Sequence, residues 1–198
     1  MKVLFATKNP AKIDFYATEL VQRGYDVLTL NDILEKIEII ENGKDCIENA
    51  IIKAKTCYDK TGITTIGIDD NLFIEGLSEE QQPRNQVRRV EGKYLSDDEM
   101  IEHYTKVVNA LGGKANAYWL HGIAICKNGE INTFEKRSDM MITNTISKVR
   151  HEGYPLDSIC IHLKTGKYQS ELTKEEVEEG KKTKNKAIFD FLIENLEE

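Results

Sequence analysis

Proline is scarce in this chain, with three in 198 residues, and so are long apolar runs. The first scarcity, together with 31% charged and 40% hydrophobic residues, excludes a disordered or fibrous chain and leaves a soluble globular protein. The second excludes a membrane-spanning helix, which needs about 18 or more apolar residues in a row. The N-terminus also lacks the apolar segment and small-residue cleavage site of a signal peptide, so a cytoplasmic location is expected. Closely paired cysteines are missing. Cys46, Cys57, Cys126 and Cys160 fit no metal-ligand spacing and are expected as thiols in a reducing compartment, which argues against a structural zinc site. Positive charge is in deficit as well. A net charge of −7 argues against coating duplex nucleic acid. It leaves room for a small anion held by local lysines, above all where a divalent cation bridges the ligand and carboxylates.

What is present begins with MKVLFATKNPAKIDFY, an apolar run of strand type from Lys2 to Ala6 that Thr7, Lys8, Asn9 and Pro10 break before a helical pattern. Asn9 suits the cap of that helix and Pro10 its first position. Such a loop presents backbone N–H groups, the Thr7 hydroxyl, the Asn9 amide and the Lys8 and Lys12 ammonium groups at a helix N-terminus, chemistry suited to phosphate. It is equally the form of an ordinary capped first strand–helix unit. The helix runs to about Val21, with Gly24 as its stop, and residues 25–30 form a second strand candidate before the apolar stretch 37–40. Alternating strands and helices predict an α/β protein.

Glu41, Asn42 and Gly43 end that stretch, and a helix is expected from about Cys46 to Asp59. Its apolar set Ile47, Ala50, Ile51, Ala54 and Tyr58 lies on one face. Lys53 falls at the edge of this stripe, where a lysine either snorkels outward or points into a cleft. The strand pattern ITTIGI follows and ends in Asp69, Asp70 and Asn71. Acids at the C-terminal end of a strand sit where α/β sheets place ligand crevices. Adjacent carboxylates call for a neutralising cation or proton, which suggests a divalent metal or a general base, the alternative being an acidic turn between two strands.

ATKNPAK, ENG followed by ENAIIKAK, and GIDDNLFIEGL together resemble the ordered motifs of the inosine triphosphate pyrophosphatase family over roughly the first 80 residues. The resemblance implies an elongated α/β fold, residues 1–198 forming one domain whose mixed sheet is carried through two lobes flanking a nucleotide cleft. It implies Mg²⁺-dependent hydrolysis of an aberrant purine nucleoside triphosphate to the monophosphate and pyrophosphate, and a homodimer. By the same resemblance Thr7, Asn9, Lys12 and Lys53 hold phosphates, Asp69 and Lys53 are catalytic, and Glu41, Asp69 and Asp70 hold the metal. Asp69 is essential in either register of the acidic motif: aligned without a gap, Ile68 stands where a second acid is usual, Asp70 at a serine and Asn71 at a glycine position, whereas with a one-residue deletion Asp69 and Asp70 are the usual acidic pair.

Beyond Leu77 the likeness thins. A charged loop carrying Arg84, Arg88 and Arg89 replaces one that lies near the ligand in the family, and these arginines either reach phosphate or belong to an exposed charged loop. A helix is expected over Met100 to Leu111, and two strands, 115–126 and 130–136, flank the hairpin turn Lys127, Asn128, Gly129. HEGYPLDSI, from His151, resembles a degraded purine-holding loop in which Tyr154 stacks on the base and Asp157 accepts from its edge. The family's Ser-His-Arg signature is absent. Thr183 stands in the histidine position and Lys184, a base contact, in the arginine position, ahead of an amphipathic helix from Lys186 to Leu196. The four histidines are expected to be structural or exposed. These departures keep two alternatives open: a nucleotide-binding protein that has lost hydrolysis, and a hydrolase of another phosphorylated compound.

Overall fold

The computed structural model describes residues 1–34, 36–183 and 185–197. In chain order these form β1 (Lys2–Phe5), α1 (Pro10–Gln22), β2 (Asp26–Thr29), α2 (Cys46–Thr61), β3 (Thr65–Ile74), β4 (Arg89–Val90), β5 (Lys93–Tyr94), α3 (Asp97–Ala110), β6 (Lys114–Lys127), β7 (Glu130–Thr143), β8 (Cys160–Ile161), α4 (Lys174–Lys182) and α5 (Lys186–Glu197). Six strands make one sheet in the order β2-β1-β3-β6-β7-β8, and β4 and β5 pair by themselves. The sheet is mixed: β1 is parallel to β2 and to β3, whereas β7 and β8 are antiparallel. The expected α/β class is therefore the observed one.

The chain divides into two compact units, one of Met1–Asp70, His121–Lys136 and Asn185–Glu198, the other of Asn71–Leu120 and Arg137–Lys184. In the first unit, strand alternation sorts side chains onto two faces. Val3 and Phe5 of β1 and Ile66 and Ile68 of β3 share a buried cluster with Tyr16 and Leu20 of α1 and with Ile188 and Leu192 of α5. Leu4 and Ala6 face the other way and pack on Cys57 of α2. Residues 37–40 form no strand; Ile37 and Ile39 instead join this second cluster as an irregular cover.

Helix α2 lies unusually close to the sheet, and two glycines permit it. A Cβ at Gly67 of β3 would sit 2.0 Å from the Ala50 carbonyl oxygen, and one at Gly122 of β6 would sit 2.5 Å from that of Cys46. Ala50, Ala54 and Ala124 complete this small-residue contact. The close approach sets how deep the side chains of α2 reach along β3. Between β6 and β7, Asn128 and Gly129 turn the chain with φ of 53° and 83°, the pair of left-handed conformations that a two-residue hairpin requires.

The second unit is built on a core of Leu72 and Ile74 from β3, Met100, Ile101, Tyr104 and Val108 from α3, and Met140 and Ile142 from β7. Helix α3 begins at Asp97, three residues before the expected Met100, capped by Ser96, whose hydroxyl accepts from the Glu99 N–H while Glu99 accepts from the Ser96 N–H at 2.8 Å.

Candidate active site

The site-forming residues of the first unit gather where the parallel strands β1 and β3 diverge. With strand order β2-β1-β3, the chain leaves β1 to one side through α1 and reaches β3 on the other through α2. Such a switch point leaves a crevice at the carboxyl ends of the strands. The separation can be followed bond by bond. The Ala6 N–H still donates to the Ile66 carbonyl at 2.9 Å, but β1 then ends and turns into the Thr7–Asn9 loop. The Ile68 carbonyl, one strand repeat further on, is met instead by two lysines, Lys12 and Lys53, each donating at 3.3 Å.

Lys53 is buried, 7% exposed, which decides against the snorkelling alternative. Its ammonium lies between two carboxylates, 2.7 Å from Glu41 and 2.8 Å from Asp69. Burial alone lowers its pKa, but Asp69 and then Glu41 outweigh that and raise it, so Lys53 stays charged. Asn49 lies one helical turn before Lys53, fully buried. Its amide nitrogen donates to Asp69 at 3.2 Å and its amide oxygen accepts from the Gly43 N–H at 2.9 Å. A Cβ at Gly43 would stand 2.7 Å from that oxygen, so the ENG segment is pressed against the first turn of α2. Glu48 takes the Lys44 N–H at 2.8 Å, and the Asp45 cap takes the Glu48 N–H at 2.8 Å. This clamp is what delivers Glu41 to Lys53.

Asp69 and Asp70 are consecutive in an unbroken strand, not an acidic turn, so they project from opposite faces of β3. Asp69 meets α2. Asp70 meets Lys12 of α1 at 2.9 Å and His121 of β6 at 2.8 Å. Burial opposes its ionisation, yet Lys12 and His121 prevail and hold its carboxyl well below the usual carboxylate range. Buried Tyr16, on the α1 face, carries a hydroxyl pKa raised by burial and further by Asp70. The expected metal set of Glu41, Asp69 and Asp70 is thus divided: Glu41 and Asp69 share one lysine, and Asp70 is committed elsewhere. Among the described residues no three His, Cys, Asp or Glu side chains converge as a metal-binding group.

Thr7 and Asn9 form the loop between β1 and α1. The Asn9 N–H donates to the Thr7 hydroxyl at 3.1 Å and the Asn9 carbonyl accepts from Ile13 at 3.1 Å, opening α1. Cys46 at the start of α2 is no nucleophile, since burial and then nearby carboxylates, Glu135 first among them, push its thiol up to about 12.

In the second unit, Gly153, at φ +82°, donates its N–H to Asp97 at 2.7 Å, and Tyr154 precedes a short 3₁₀ turn, Pro155–Ser158. Tyr154 lines a cavity of ≈ 210 Å³ with Asp97, Ile101, Arg150 and His151. Asp157 is pushed up to about 6 by burial, with His151 opposing. Thr183 borders a cavity of ≈ 430 Å³ beside Arg137, His162 and Glu179, but its hydroxyl donates to the Glu179 carbonyl at 2.8 Å and closes α4. Lys184 lies outside the described residues. Arg84 pairs with Glu79, and Arg88 binds Asp97 at 2.7 Å and the Leu95 carbonyl at 3.2 Å, so these two arginines brace their own loop.

Two residues of the cluster, Asn49 and His121, carry no role in the sequence reading. Asn49 was within reach, being four residues before Lys53 on the same helical face. Nothing near His121 in the chain signals Asp70, 51 positions away.

The sequence model of the Ham1 family matches residues 3–190. A dITP/XTP pyrophosphatase of Bacillus licheniformis is 32% identical over 158 residues, covering 77% of this chain and 78% of that protein. One from Leptospira interrogans is 26% identical over 193 residues, covering 96% and 95%. Among solved structures, the Staphylococcus aureus Ham1 protein superposes with a TM-score of 0.76 at 23% identity, covering 100% of this chain and 98% of that one.

Proposed function

The chain belongs to the Ham1 family, and from that premise we propose that it hydrolyses a nucleoside triphosphate to the monophosphate and pyrophosphate. The observation that carries the reading is the Lys53 ammonium held between Glu41 and Asp69 beside the β1–α1 loop. Two carboxylates converging on one cation are the hard oxygen donors that Mg²⁺ prefers, and they fit it better than any nitrogen or sulfur set here. Glu41 and Asp69 would hold Mg²⁺, which when bound withdraws charge from the triphosphate. Thr7, Asn9 and Lys12 face the phosphates from the start of α1, where the helix N-terminus favours anions. Lys53 contributes a fixed positive charge to the transition state. Asp69, held by Lys53 and Asn49, orients the attacking water and accepts its proton.

Tyr154, Asp157 and Lys184 are proposed for the base on the resemblance alone. With Thr183 spent on its own helix, discrimination between inosine or xanthosine triphosphate and the adenosine and guanosine triphosphates is expected to be weak or altered. A homodimer is proposed on the same resemblance, and a cytoplasmic location on the four buried free thiols.

The test is pyrophosphate release from natural and deaminated nucleoside triphosphates with Mg²⁺. Release from at least one supports the reading. Binding without release identifies a sequestering protein instead, and a preference for inosine triphosphate above about a hundredfold, nearly 3 kcal/mol, overturns the account of the base.

A further inference from the structure

We propose that His121 is a positioning residue for Lys12, acting through Asp70. The inference rests on the reading that Lys12 faces phosphate. Each oxygen of Asp70 has one duty: Oδ1 meets His121 Nδ1 at 2.8 Å, and Oδ2 meets Lys12 Nζ at 2.9 Å. A carboxylate at neutral pH can only accept, so the proton of this bond sits on His121 Nδ1. Lys12 gives a second N–H to the Ile68 carbonyl at 3.3 Å. An ammonium has three donors, and these two contacts fix the direction of the third.

A lysine side chain loses considerable rotamer freedom when it is ordered. Here that ordering is built in advance by Asp70 and Ile68. Asp70 can do this only if its own carboxylate is kept from rotating, and the donor that fixes it from the far side is His121 on β6. The backbone that carries the imidazole packs closely under α2: a Cβ at Gly122, the next residue, would stand 2.5 Å from the Cys46 carbonyl.

Calorimetry with inorganic tripolyphosphate and Mg²⁺ tests the proposal without requiring turnover. His121→Met, which lacks the donor, is expected to weaken binding about tenfold, the scale of a lost hydrogen bond to a charged group. His121→Gln, which can donate to Asp70, should recover most of that loss. In a Lys12→Ala background the His121→Met change should have no further effect, since the two residues act as one unit. His121→Leu serves as the second non-donor variant if His121→Met does not fold. Binding within twofold of the parent for a folded non-donor variant overturns the proposal, as does an equal loss with Lys12 already removed. A parent protein that does not bind tripolyphosphate at all overturns it too. If this binding pattern holds while no nucleoside triphosphate is cleaved, the proposed hydrolysis fails and the positioning role stands.

Discussion

Asp69 accepts from Lys53 at 2.8 Å and from Asn49 at 3.2 Å, so its carboxylate is both charge-balanced and aimed. Substituting Asp69→Asn keeps the size of the side chain and removes the proton acceptor. Turnover of the folded protein on the best substrate should fall by roughly two orders of magnitude or more, and the urea midpoint should fall as well, since buried Lys53 loses one of its two carboxylates. Turnover equal to that of the parent would remove Asp69 from the mechanism. The gathering of Lys12, Lys53, Glu41 and Asp69 follows motifs whose helix, loop and strand registers are local and therefore legible in the sequence. Whether Lys53 snorkels or turns inward was not legible, because the answer lies in two carboxylates supplied by other segments. The placement of Asp70 apart from Glu41 and Asp69 was not legible for a similar reason: a strand's alternation overrides the nearness of neighbours in sequence.

At the level of elements, the depth at which α2 sits on β3 and β6 governs the site. Gly67→Ala would drive a methyl group into the Ala50 carbonyl, at an ideal distance of 2.0 Å. The contact is backbone on both sides, so no side chain can swing away. We expect a loss of about 3 kcal/mol or more, toward the upper end of overpacking costs, read as a lower urea midpoint. Pyrophosphate release should fall further than the folded fraction, because the displaced helix carries Asn49 and Lys53. An unchanged urea midpoint would mean that α2 is not held where we describe it. The longer strands and the amphipathic helices were readable from their periodicity; the two-residue strands β4, β5 and β8 are too short to show any, and β7 runs to Thr143, seven residues past the expected end at 136. Helix α4 buries none of its residues and so has no apolar stripe to mark it in the sequence; its clear signal is the Thr173 and Glu176 capping box, whose two bonds measure 2.8 and 3.2 Å. The acidic turn left open as an alternative at Asp69 and Asp70 is absent: β3 runs unbroken from Thr65 to Ile74.

For the molecule as a whole, acid–base behaviour offers a separate probe. Asp157 titrates near 6 in the folded chain, against 3.8 for the ordinary group. Between those values the folded state holds the proton that the unfolded state releases, so this group makes stability fall as pH rises from about 4 to about 6. The loss persists above pH 6 and amounts to at most about 3 kcal/mol. Asp157→Asn should therefore raise the urea midpoint at pH 7.5 and leave it almost unchanged at pH 4. The same increment at both pH values would show that burial is not what raises the Asp157 pKa.

The two units are threaded through five segments, so the polypeptide passes from one to the other four times, and three of those passages run within single strands: Asp70 to Asn71 in β3, Leu120 to His121 in β6 and Lys136 to Arg137 in β7. No single cut in the chain releases either unit whole. The same is true of the gene: no single breakpoint transfers either unit whole, and because residues 1–70 and 185–198 both belong to the first unit, a reading frame shortened from either end cuts into that unit first.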